Sequence, residues 1–216
     1  MNQTIMDTIQ IQKIISAQFT DPQSALDLQK LLKKVAEKQG ANPSVKELAQ
    51  GSSFIYNYLE QVPYLLTVAW TSARNVGLET EVTSILKMIE SYWIEDDDVI
   101  PDNLGIFGIL DDAYCSLSSM QNLSNLYRMQ SGKHLFPDDL SAANEVMRKI
   151  IGDPYISQLD KLVSKAIEDA QVKEAVKWLA SPERQQLLDS QATIWNHGPV
   201  SELPVSQLKG LGLIES

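Results

Sequence analysis

The chain holds one cysteine, Cys115, and only two histidines, His134 and His197, in 216 residues. A single thiol excludes an intrachain disulfide, and its place in a helical, apolar register predicts a buried small side chain. So few thiols and imidazoles exclude a zinc centre of the usual ligand set. No Gly-x-Ser-x-Gly turn occurs and both histidines lie in loop-like sequence, so no nucleophile and base can be paired. A long apolar run is missing as well. The nearest approach, residues 62–70, is interrupted by Pro63 and Thr67 and falls far short of the roughly 20 residues that cross a bilayer. No transmembrane helix is predicted. The first residues, Met-Asn-Gln-Thr-Ile-Met-Asp, show neither a signal nor a transit pattern, which predicts a cytoplasmic setting.

Positive charge is scarce. Lys and Arg number 18 against 28 Asp and Glu, a formal charge of -10, which repels phosphate backbones and excludes nucleic acid as the expected partner. Lys30, Lys33, Lys34 and Lys38 form a basic helix face, read as solvated. Gly132-Lys133 is no phosphate loop, because Tyr127 stands where the first glycine belongs and His134 follows the lysine. From Met88 through Tyr127 there is no Lys or Arg at all, while Glu90, Glu95, Asp96, Asp97, Asp98, Asp102, Asp111 and Asp112 fall inside.

Period-two alternation is also absent, whereas apolar residues recur at helical spacing almost throughout. With 44% hydrophobic and 21% charged residues the composition is globular. The predicted class is all-α, an irregular bundle of about eight or nine helices. Asp21-Pro22 starts a helix carrying Ala25, Leu28, Leu32 and Val35, and Gly40 closes it. Asn42-Pro43 starts a short helix that Gly51 ends, with Ser52 or Ser53 capping the next. Pro63 predicts a kink or a division into two helices. Leu78, Val82, Ile85, Leu86 and Ile89 mark another helix leading into Tyr92-Trp93-Ile94.

Ile106, Leu110, Ala113, Leu117, Met120 and Tyr127 then share one face of a long helix. Asp112, Ser116, Ser119 and Asn122 form its opposite, wet face. Gly132 ends it, Pro137-Asp138 opens a helix with Val146, Met147, Ile150 and Ile151, and Gly152-Asp153-Pro154 closes that one. Leu159, Leu162, Val163, Ala166, Ala170, Val176 and Leu179 describe the longest late helix, and Ser181-Pro182 starts a last one to about Ile194. Residues 1–194 read as one domain. Residues 195–216, with Gly198, Pro199, Pro204, Gly210 and Gly212, read as a tail that either docks through Leu203, Leu208 and Leu211 or stays mobile.

The densest pattern is residues 98–112, where Asp98, Asp102, Asp111 and Asp112 bracket an apolar, glycine-punctuated segment. Carboxylates are the ligands a hard divalent cation takes, which makes these four a candidate magnesium or calcium site. Pro101 disfavours a helix at Ile100. Nine helical residues would hold Asp102 and Asp111 roughly 13 to 14 Å apart, so convergence requires a fold-back at Gly105 or Gly108. The competing reading makes Asp98 and Asp102 caps, with Asp111 and Asp112 in a first helical turn where negative charge is favoured.

Asp98, Ile100, Pro101, Asp102, Gly108, Leu110, Asp111 and Asp112 resemble the conserved block of the YkvA-like family, a bacterial helical domain of unknown function; the block falls within residues 92–130. The chain departs from that pattern at Asn103-Leu104-Gly105. The resemblance implies a helical hairpin, membrane association in some members, and no reaction.

Charge without a catalytic set predicts a non-enzymatic binding protein of regulatory, adaptor or inhibitor type. It would need no cofactor and would contact a protein with a basic surface through Glu95, Asp96, Asp97 and Asp98. Two alternatives stay open: a divalent-metal enzyme using Asp98, Asp102, Asp111 and Asp112, and peripheral membrane contact through Leu104 to Leu110.

Overall fold

The computed structural model describes residues 8–75, 77, 79–94, 99–100, 102–133, 135, 139–190 and 203–214, with the side chains of 72, 75, 81, 94, 102–104, 188 and 190 outside the description. Every regular element among them is helical. The α-helices are α1 (Thr8–Thr20), α2 (Pro22–Lys38), α3 (Val45–Asn75), α4 (Glu79–Ile94), α5 (Leu110–Ser131), α6 (Ser141–Ile151), α7 (Tyr155–Glu168), α8 (Ala170–Leu179) and α9 (Pro182–Ser190). Two 3-10 helices, Asp102–Ile109 and Val205–Leu211, complete the set.

The start of α2 is where the sequence places it. Asp21 accepts from the backbone N–H groups of Gln23 at 3.1 Å and Ser24 at 3.2 Å, which satisfies donors that have no partner inside the helix. Pro22 follows at the first helical position. Gly40, at φ +76°, takes the left-handed conformation beyond the last turn. Leu28, Leu32, Val35 and Ala36 are buried, while Lys30, Lys33, Lys34 and Lys38 stay exposed. Lys30 pairs with Asp27 at 2.8 Å.

Helix α3 departs from the sequence reading. It begins at a capping box, in which the Ser44 N–H and hydroxyl both reach Glu47 Oε2 at 2.7 Å and the Glu47 N–H returns to Ser44 Oγ at 3.3 Å. It then runs through both Gly51 and Pro63 without dividing. Ser52 and Ser53 cap nothing; their hydroxyls donate to the carbonyls of Leu48 and Ala49 within the same helix. Propensity was overridden by burial. An interior proline costs about 3 kcal/mol and a glycine about 1. Phe54, Ile55, Tyr58, Leu59, Val62, Leu65 and Leu66 are each buried, at roughly 1.5–3 kcal/mol per large apolar side chain, which outweighs both.

Those two caps set a pH dependence. The N–H of Gln23 and the hydroxyl of Ser24 hold Asp21 below the usual carboxylate value, and the hydroxyl and N–H of Ser44 do the same for Glu47. A carboxylate whose folded pKa is depressed stabilises fully above its unfolded value, and that contribution disappears as pH falls to the lowered folded value. Melting followed by circular dichroism from about pH 7 to about pH 2 should show a steeper decline for the wild type than for an Asp21→Asn, Glu47→Gln variant. Parallel curves would discount the caps.

At the centre lies α5, packed against α3, α4, α6, α7 and α8. The predicted wet face is overturned. Ser116 and Ser119 are fully buried and Asp112 is half-buried; only Asn122 of that set is exposed. Groups of α4 and of the segment between α5 and α6 stand in for the missing water. Trp93 Nε1 donates to Ser116 Oγ at 2.9 Å, Tyr92 Oη lies 3.3 Å from Ser119 Oγ, and Gln121 and Ser124 accept the N–H groups of Leu140 and Leu135. Buried polar groups paired in this way carry little net cost. Gly132, at φ +73°, ends the helix as predicted.

The single late helix is also corrected to two, α7 and α8. Asp169 breaks them apart by leaving helical geometry (φ -54°, ψ 133°) and accepting from Gln171 N and Val172 N. An aspartate competes with the helix for its own backbone, and no glycine or proline was needed. Helix α9 starts at Pro182 behind Ser181, as expected, and its predicted extension to Ile194 lies outside the described residues; the helix expected to open at Pro137-Asp138 instead starts at Ser141, since Asp139 and Leu140 are not helical. Of the predicted tail, residues 203–214 are docked. Leu208, Leu211 and Leu213 are buried and the 3-10 helix Val205–Leu211 packs on α3, α2 and α6.

Candidate functional site

The segment before α5 folds back on itself. Gly105 takes φ +63°, a conformation that β-substituted residues rarely adopt. Ile106 consequently belongs to the 3-10 helix Asp102–Ile109 and not to the long helix. Ile100, Ile106, Ile109 and Leu110 are buried and Phe107 packs edge-on against Tyr155. Among the described side chains of this segment, little apolar surface is left exposed.

Asp111 explains how the turn is held. It is 3% exposed, and its Oδ2 accepts the backbone N–H of the fully buried Ile100 at 3.0 Å. Hydrogen bonds to ionised acceptors are about twice as strong as neutral ones. Both Asp111 and Asp112 occupy the first turn of α5, whose N-cap, Ile109, has no side-chain cap. Their charge there complements the exposed N–H groups of the helix start. This agrees with the architectural reading for those two residues, with one refinement: Asp111 reaches backwards to the preceding turn.

The sequence-derived contact run Glu95, Asp96, Asp97 and Asp98 lies outside the described residues, as does the side chain of Asp102. Its flanks do not. On one side Trp93, at the end of α4, is bonded to Ser116; on the other Ile100 is bonded to Asp111. Both anchors belong to α5 and lie five residues apart, roughly 7.5 Å along a helix axis. The described residues on both sides of the run are therefore fixed to the same central element. Among the described residues, no group of three or more His, Cys, Asp and Glu side chains is placed to hold a metal ion.

Comparison of the chain with protein-family models, curated proteins and solved structures returns no match. Nor is any helix among the described residues long and apolar enough to cross a membrane.

Two further clusters border the site. Cys115 is buried, and burial first, then the carboxylates of Asp111, Asp112 and Asp160, push its thiol well above the usual range. Such a thiol is a poor nucleophile. Immediately before Cys115, Tyr114 donates to Asp160 Oδ1 at 2.7 Å, while Arg148 donates to Tyr114 Oη at 3.0 Å and pairs with Asp160. Burial and the Asp160 partner raise the Tyr114 phenol to about 12. This triad ties α5, α6 and α7 together and was not legible in sequence, since its members are scattered over residues 114–160. The burial of α5 did have a signal: residues 113–127 contain no charged side chain.

Proposed function

We propose that this protein acts without catalysis by binding another protein, and that the acidic run Glu95 to Asp98 is its contact for a basic partner surface. The anchoring of the residues on either side of it to α5, Trp93 to Ser116 and Ile100 to Asp111, is the observation that supports the reading. Four consecutive carboxylates lie in a stretch with no Lys or Arg between Met88 and Tyr127, a one-signed run whose charge is offset by water or by cations brought from outside that stretch. A partner lysine or arginine cluster supplies the latter. Fixing both flanks reduces the entropy lost when such a partner binds. The resemblance to the YkvA-like block adds a helical hairpin to this picture and no chemistry.

The test is a capture experiment from the native host at low and high salt, followed by titration of the captured partner. Exposed charge contacts contribute about 0.2–1 kcal/mol each, so neutralising the four residues of the run (Glu95→Gln, Asp96→Asn, Asp97→Asn, Asp98→Asn) should weaken binding roughly 4- to 700-fold. It should also flatten the salt dependence of association. Unchanged affinity in the neutralised variant would refute the assignment. The metal-enzyme alternative receives no support from Asp111, whose carboxylate is buried and engaged with backbone.

A further inference from the structure

The apolar stripe of α7 outlasts its cover. Leu159, Leu162, Val163 and Ala166 recur at helical spacing, yet Leu159 and Val163 are buried while Leu162 is 39% exposed and Ala166 half-buried. The reason lies in the break at Asp169. A continuous helix would have carried the stripe onward, but the chain turns there and α8, not α7, takes the place against α4. Helices α4 and α7 both pack on α5 and on α8, and scarcely on each other. Between them a cleft of about 520 Å³ stays open, within the roughly 300–1,000 Å³ usual for small-molecule sites.

The cleft has two kinds of wall. Met88 and Tyr92 of α4, Leu162 and Ala166 of α7 and Val172 of α8 give it an apolar lining. Its charged groups are Lys87 on α4, Lys165 on α7 and Asp169 at the corner between α7 and α8. Asp169 is already engaged, accepting from Gln171 N at 2.8 Å and from Val172 N at 3.2 Å. Among the described residues neither lysine has an ion pair or a hydrogen bond, although the charge of Lys87 reaches Glu90 one turn on. Two unpaired ammonium groups, one from α4 and one from α7, thus flank an apolar bed in a chain whose net charge is -10.

We propose that this cleft binds a small amphiphilic carboxylate, its apolar chain against Met88, Leu162 and Ala166 and its acid group facing Lys87 and Lys165. Both halves of such a ligand are needed. A bare anion would gain only two exposed ion contacts, which water and salt weaken, whereas a chain that covers Leu162 also removes apolar surface from water. The lysine stems extend that cover while their ammonium groups stay hydrated at the rim. The negative charge of the whole chain weighs against polyanions and favours a single acid group. This inference is independent of the acidic run.

Calorimetric titration of the full chain with decanoate, and with 1-decanol as its uncharged counterpart, decides it below the micellar concentration. Losing two exposed ion contacts makes decanol on the wild type, and decanoate on a Lys87→Gln, Lys165→Gln variant, each roughly 2- to 30-fold weaker than decanoate on the wild type. On that variant the two ligands should bind alike, which isolates the contribution of charge. Amide shifts in a nuclear magnetic resonance titration should fall on residues 84–92 and 162–172, which carry the lining of the cleft. No decanoate binding, a preference for decanoate that survives the loss of both lysines, or shifts elsewhere in the chain would overturn the proposal. Ala166→Phe fills the cleft from α7 and tests the apolar half: with unchanged helical circular dichroism it should abolish decanoate binding, and undiminished binding overturns the proposal equally.

Discussion

Replacing Asp111 by alanine is expected to lower the unfolding free energy by about 1–3 kcal/mol, the cost of a buried donor left without its acceptor. The donor is the N–H of Ile100, which is fully buried and lies 3.0 Å from Asp111 Oδ2. Asparagine separates the roles this carboxylate could have. Its amide oxygen can accept the same N–H, so Asp111→Asn should retain more than half of the stability that alanine loses. Were the negative charge itself the important property, as a cation ligand requires, the two substitutions would be equally damaging. Urea unfolding followed by tryptophan fluorescence measures both variants against wild type. Equal losses, or an alanine variant as stable as the parent, would remove Asp111 as the latch of the turn.

Leu211→Ala has the larger expected effect, about 2–5 kcal/mol, because a buried leucine is truncated against a surface that cannot fully collapse. Its informative partner is Gly51. Alone, Gly51→Ala gains about 1 kcal/mol of helix propensity but sets a β-carbon 2.7 Å from Leu211 Cδ1 and 2.9 Å from Leu32 Cδ1, so side chains must shift. With Leu211 shortened, one of those contacts disappears and the new methyl fills part of the vacated space. The double variant should consequently be more stable than the sum of the single changes, by roughly 0.5–3 kcal/mol of coupling. Additive behaviour within error would show that residues 203–214 do not seat on Gly51.

Local chemistry was readable wherever a side chain acts on its own neighbours in sequence. Asp21-Pro22 starts α2, Gly40 and Gly132 follow α2 and α5, and Ser181-Pro182 opens α9. The misreadings share one cause. Gly51 and Pro63 look like helix ends only if α3 stands alone, and Ser116 and Ser119 look wet only if one side of α5 faces solvent. In the fold α3 and α5 are each surrounded by other helices, so burial decides both points. Asp169 went unseen for the opposite reason: a local cap interrupts an apolar period that runs through it unchanged.

For the candidate site, the four carboxylates, the isolated acidic run and the need for a fold-back at Gly105 or Gly108 were all present in the order of residues. The sequence by itself determined the helical class, the net charge of -10 and the absence of a familiar catalytic set, because composition and periodicity are properties of the chain. Only the tertiary structure decided that Asp111 holds Ile100, that Trp93 anchors the other flank to α5, and that residues 203–214 close a groove rather than hang free. Each of those depends on which residues distant in sequence exclude water together, and periodicity along one helix does not say what will lie against its other side.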